Sequence, residues 1–165
     1  MPRSKTPSGS SALREHTFFS DRDLGKRFPE LLRTAGFDVE IHAEHFSEAA
    51  AADSVPDTTW LPVVGRNGWV LLTHDRAMRY TSRERDAIME HGVRAFMLIG
   101  THKAPEHAEN FVRSWHLIER FLRQHRDPFI AKLHHPTPRE LERKRKPTGR
   151  VEMWLSWEEW RSRRG

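Results

Sequence analysis

The chain has 165 residues, no cysteine, and a formal net charge of +5 from 28 Lys/Arg against 23 Asp/Glu. That length supports one hydrophobic core with residues left over for tails. The missing cysteines exclude disulfides, zinc–thiolate sites and cysteine nucleophiles, and they fit a reducing, cytoplasmic compartment.

No apolar run nears the roughly 18 residues of a membrane span. Met1 to Arg14 is Ser-rich and basic but lacks the apolar centre of a secretory signal. The charge is uneven: residues 1–14 carry a net +3, residues 137–165 a net +4, and the body between them a net −2. Composition therefore divides the chain into a basic N-terminus (1–14), a globular body (15–135) and a basic, Trp-rich C-terminal extension (136–165). Basic ends on a near-neutral body suit contact with an anionic partner, or simply keep the protein soluble.

In chain order, a first strand is expected over 16–20. Leu24, Phe28, Leu31, Leu32 and Ala35 then recur at helical spacing, with Gly36 as the C-terminal cap. Pro29 cannot lie deep in that helix, so regular helix starts near Phe28 or its first turn is irregular. Asp38 to His42 alternates as a short strand, and 43–56 reads as a loop with one Ala-rich turn. Asp57 to Leu61 opens a short helix that Pro62 distorts and Gly65 to Gly68 closes. Trp69 to Thr73 is a buried strand. Thr81 with Glu84 forms a capping box for a helix ending at Gly92. Val93 to Ile99 is a fourth strand. Pro105 starts a long helix whose stripe is Ala108, Phe111, Val112, Trp115, Ile118 and Leu122. Phe129 to Leu133 reads as a fifth, edge strand, and Arg150 to Leu155 as a further one. This alternation specifies an α/β fold with a mostly parallel sheet between helical layers.

Two apolar runs end on carboxylates: Thr17 to Ser20 runs into Asp21-Arg22-Asp23, and Trp69 to His74 into Asp75. Buried strands of an open α/β sheet deliver their carboxyl ends to the ligand crevice. Acids gathered there repel one another, and a divalent cation is the simplest group to sit between them. Asp21 and Asp75 are the foremost candidate ligands. Asp57 and Asp23 are further ones, each equally placed to cap a helix. Such an ion, Mg²⁺ or Mn²⁺, favours metal-assisted chemistry on a phosphate. Lys26, Arg27, Arg76 and Arg79 lie just beyond the two strand ends, where they suit phosphate contacts or a solvated helix face. His42, His45, His134 and His135 lack companions at zinc-ligand spacing and read as packing residues. His74 is expected to turn to the face opposite Asp75.

Four segments together resemble the PIN-like domains, in the branch of the VapC-like ribonuclease toxins of bacterial toxin–antitoxin pairs. They are Phe19 to Pro29, Gly36 to Val39, Asp57 to Leu61 and Gly68 to Asp75, within a match covering roughly 16–133. The resemblance implies a three-layer α/β/α PIN-like fold and an acidic pocket binding Mg²⁺ or Mn²⁺. It also implies metal-dependent endoribonuclease activity leaving a 5′ phosphate, and an antitoxin protein partner. Asp21, Asp57 and Asp75 match the pocket acids, with Asp23 beside them. A further acid on an early helix is usual in the family, and Glu40, Glu44 and Glu48 are the residues near enough to supply it. Thr58 and Thr59 stand where related sequences often carry acids, so the pocket could hold one metal ion rather than two. A homodimer is compatible with the chain.

Two other classes are weaker. A haloacid-dehalogenase-type phosphatase also starts from Asp-x-Asp, but needs a late strand ending in acids. The run Leu98 to Lys103 has none. No glycine-rich phosphate loop is present for a nucleotide-binding enzyme. The remaining alternative is a PIN-like scaffold that binds RNA or a protein without cutting.

Overall fold

The computed structural model describes residues 15–46, 57–74, 82–143, 145 and 147–164. Six strands form one sheet: β1 (Thr17–Ser20), β2 (Asp38–Ile41), β3 (Val70–His74), β4 (Arg94–Leu98), β5 (Phe129–His134) and β6 (Arg150–Ser156). Their order is β2-β1-β3-β4-β5-β6. The first five are parallel and β6 is antiparallel to β5. The helices are α1 (Arg27–Thr34), α2 (His42–Phe46), α3 (Asp57–Arg66), α4 (Ser82–Glu90), α5 (Ala104–Arg113), α6 (Trp115–Gln124), α7 (Pro138–Arg143) and α8 (Trp157–Arg164).

The central strands are mostly apolar because both faces of the sheet are covered. Their side chains alternate between two cores. Phe18, Val70, Leu72, Phe96, Leu98, Phe129, Ala131 and Leu133 pack with residues of α1, α5 and α6. Phe19, Leu71, Ala95, Met97 and Ile130 pack with residues of α3, α4 and α8. The result is a three-layer α/β/α sandwich of PIN-like form. No described helix is long and apolar enough to cross a membrane.

Gly36, with φ +103°, ends α1 as its position suggests, and Pro29 sits in the first turn of that helix. Several elements differ from expectation. The Asp57 helix runs to Arg66 with Pro62 inside it. Gly65 belongs to its body, and a Cβ there would overlap the carbonyl oxygen of His91. The helix was thus longer than its prolines and glycines suggest, because close packing on the His91 corner requires the glycine.

The long helix is two helices, broken at Ser114. The fully buried Ser114 hydroxyl accepts from the Gly149 amide at 2.8 Å, tying the break to the start of β6. Val112 is not part of the buried stripe and is 41 % exposed. β5 is not an edge strand: β6 pairs along its whole length, and β6 takes the edge.

β6 and α8 thus belong to the same layered body. Trp160 is buried, and its Nε1 donates to Asp86 Oδ1 at 2.7 Å. Trp154 and Trp157 pack against the same core.

Candidate functional site: an acid pair and a histidine-lined cleft

After β1 the chain crosses to β2 on one side; β3 then pairs with the other side of β1, and the sheet grows away through β4 and β5. The strand order reverses between β1 and β3. In open α/β sheets the crevice beyond the carboxyl ends at such a point is the habitual ligand site. Asp21, Asp23, Thr73 and His74 occupy it.

Asp21 extends β1 by one hydrogen bond, its amide donating to Leu72 O at 3.0 Å. The residue is only 9 % exposed. Oδ1 accepts from the Arg22 amide at 2.7 Å, capping the 3₁₀ turn Arg22–Leu24. Oδ2 accepts from the Thr73 hydroxyl at 3.1 Å. That turn carries Asp23 back over the end of β3. There Asp23 Oδ2 lies 3.4 Å from the same hydroxyl and 3.3 Å from the His74 amide that donates to it. Gly25, with φ +70°, closes the turn.

The cap role thus falls to Asp21, while Asp23 reaches across to the neighbouring strand. Two carboxylates straddle one hydroxyl, which has a single proton to give. Thr73, fully buried, is the residue that fixes their separation; sequence reasoning passed over it as an ordinary strand residue.

The other candidates are distributed as follows. Asp75, Arg76, Arg79 and Glu48 lie outside the described residues, although Asp75 directly follows His74 in the chain. Asp57 is the first residue of α3, and its carboxylate is likewise outside the description. Lys26 and Arg27 are exposed where α1 begins, just past the acid-bearing turn. Glu40 is engaged by His45 Nε2 at 2.6 Å. Glu44 receives Arg33 at 2.9 and 3.1 Å, and that guanidinium holds its carboxyl below the usual range. Among the described residues, no three His, Asp or Glu side chains are disposed to hold a metal ion. The described donor set at the switch point is carboxylate and hydroxyl oxygen, the hard chemistry that Mg²⁺ and Mn²⁺ select.

Beside the acid pair lies a cleft of about 440 Å³ lined by Asp23, Leu24, Phe28, His74, His102, Ala104 and His107. Four imidazoles meet there. The rings of His102 and His135 stack with centroids 3.6 Å apart. His107 meets His74 and His102 edge to face at 5.9 and 5.4 Å. His135 Nε2 and His107 Nδ1 share a hydrogen bond of 2.9 Å. His74 Nε2 lies 3.3 Å from Gly100 O.

Burial, reinforced by the neighbouring imidazoles, pushes His107 and His135 down to about 4, so both are neutral at pH 7. His135 is therefore part of this cluster as well as a packing residue. His74 lines the cleft together with Asp23. The cluster has one trace in the sequence: three neighbouring parallel strands are each followed or ended by histidine, at His74, His102 and His134-His135.

The sequence matches the family described as “PIN like domain” over residues 17–100, the span that carries β1 to β4 and the acid pair. It is also 33% identical over 118 residues to “Putative ribonuclease VapC45” of Mycobacterium tuberculosis, a match covering 70% of this chain and 84% of that protein. No solved structure matches the chain.

Proposed function

The chain belongs to the PIN-like domain family, and from that footing we propose that it is a VapC-like ribonuclease that hydrolyses RNA phosphodiester bonds with Mg²⁺ or Mn²⁺. The observation that carries the reading is the pair Asp21 and Asp23 straddling the Thr73 hydroxyl at the sheet's switch point. The naming of the mycobacterial relative as a ribonuclease supports it.

In this reading Asp21 holds the ion with Asp75, helped by Asp57 and Asp23. When bound, the ion supplies a water of lowered pKa and offsets charge on the phosphodiester. Thr73 and the capped turn keep the carboxylates at fixed separation, so the pocket is organised before substrate arrives. Lys26 and Arg27, with Arg76 and Arg79, are the phosphate contacts of the same reading. An antitoxin protein is the proposed partner, and a homodimer is compatible with it.

The test is cleavage of single-stranded RNA by the purified full chain with Mg²⁺ or Mn²⁺. Asp21→Asn and Asp75→Asn should each abolish it, as should EDTA. If wild type and both variants degrade RNA alike, or activity survives EDTA, the metal-dependent nuclease reading fails. Tight RNA binding with no cleavage by the wild type would instead identify a scaffold.

A further inference from the structure

The cleft beside the acid pair is built for an uncharged ligand. Among the described residues lining it there is one carboxylate, Asp23, and no lysine or arginine. Among those described residues a phosphate group finds no lysine or arginine. The rest of the lining is apolar (Leu24, Phe28, Ala104) or imidazole (His74, His102, His107), and burial keeps His107 neutral.

Flat rings with hydrogen-bonding edges, in a cleft of about 440 Å³, match a flat ligand with polar edges. Small-molecule sites commonly span roughly 300–1,000 Å³ and carry few, well-placed polar groups. One such group is already present. His107 is 5 % exposed, its Nδ1 is shared with His135, and its buried Nε2 has no protein partner. A buried polar atom on a residue that lines the cleft is costly unless something hydrogen-bonds it.

The cleft also has a fixed position: Asp23 belongs both to its lining and to the acid pair that straddles Thr73. A nucleotide whose phosphate lies at the acids has its base within reach of the imidazoles.

We propose that this cleft is a nucleobase subsite, in which His74 and His102 contact the face of a substrate base and His107 Nε2 bonds its edge. The base displaces the rings of His74 and His102 from their edge-to-face contacts with His107 and takes up the unpartnered His107 nitrogen. Aromatic contacts of this kind hold unstacked RNA bases in single-strand binders. The proposal deepens the ribonuclease reading and rests on it for the identity of the ligand.

Neutral nucleosides isolate the base from the phosphate. Adenosine, guanosine, cytidine and uridine, with free ribose as control, would be titrated to millimolar concentration into metal-free protein, following the imidazole resonances by NMR. At least one nucleoside should shift the signals of His74, His102 and His107, while ribose shifts none. His107→Phe keeps a ring in place but removes the polar edge, and should weaken that nucleoside about tenfold. The proposal is overturned if no nucleoside shifts these signals, or if ribose shifts them equally. Cleavage of RNA without nucleoside-induced shifts removes the subsite and leaves the nuclease reading standing. Nucleoside binding without RNA cleavage does the reverse.

Discussion

Thr73→Val is the most direct probe of the acid pair. Valine has nearly the shape of threonine and suits a buried strand, so packing in the core is retained. What disappears is the hydroxyl that lies 3.1 Å from Asp21 Oδ2 and 3.4 Å from Asp23 Oδ2. A buried hydrogen bond to a charged group contributes about 1.5–3 kcal/mol, and its loss also lets two carboxylates face each other unscreened. For a chain of this size that corresponds to a fall in Tm of roughly 3–12 °C. Urea melts of metal-free protein measure it. The cycle with Asp21→Asn isolates the pair, since the hydroxyl should be worth much less once one acid is neutral. A Thr73→Val change worth less than about 0.5 kcal/mol in the wild-type background, or one that costs as much in the Asp21→Asn background as in wild type, would refute the view that this hydroxyl organises the acids.

Two further predictions concern stability. Gly65→Ala drives a methyl group into the His91 carbonyl oxygen, a backbone atom that cannot rotate away, and should cost about 3 kcal/mol in denaturant melts. The histidine cluster makes stability fall in acid. Above the unfolded value near 6.5 the neutral imidazoles carry no penalty, but between 6.5 and about 4 the unfolded chain takes up protons that folded His107 and His135 refuse. Allowing for their partial exposure, the loss from pH 7 to pH 4 should be roughly 3 kcal/mol. His74, His102 and Glu106 face the same rings and shape the profile. His107→Phe should flatten the urea midpoint against pH over this range, and an unchanged slope would contradict the assignment.

The layer order, the strands and the position of Asp21 at the end of β1 were legible in the sequence because each rests on local signals. Apolar runs of four or five residues mark strands buried on both faces, and Gly36 marks a helix end by its required φ. What the sequence concealed depends on contacts between distant segments. Ser114 breaks a helix whose apolar stripe runs straight through it, and the reason is an amide 35 residues away at Gly149. The cleft imidazoles come from the end of β3, from the loop after β4 and from α5, so no single spacing in the chain announces them. Asp21 was expected as a ligand and Asp23 as a possible helix cap, whereas Asp21 caps the turn. Which one caps and which reaches across was set by where β3 ends, a tertiary fact.

The C-terminal extension separates into two halves with different physics, and this allows a last prediction. β5 is parallel to β1 and β3, so its end at His134 lies on the same sheet edge as the acids. β6 starts at that edge, with Arg150 opposite His134, and finishes at the far one, with Ser156 opposite Phe129. α7, between them, therefore belongs to the acid-bearing edge, where Arg139, Arg143 and Arg145 are exposed. α8 starts at the opposite edge and is fastened by structural contacts: Trp160 to Asp86, and Arg164 to Asp86 and Glu90. A polyanion approaching the acid pair meets the first arginine set and not the second. Each lost phosphate contact to a single strand should lower the salt dependence of binding by about 0.7 of a unit of log–log slope. Replacing Arg139 and Arg143 with Gln should thus weaken single-stranded RNA equally for all sequences and reduce that slope by about 1.4. Arg161→Gln with Arg163→Gln should change neither. Equal effects from both pairs would mean that the RNA path does not follow the sheet edge that carries the acids.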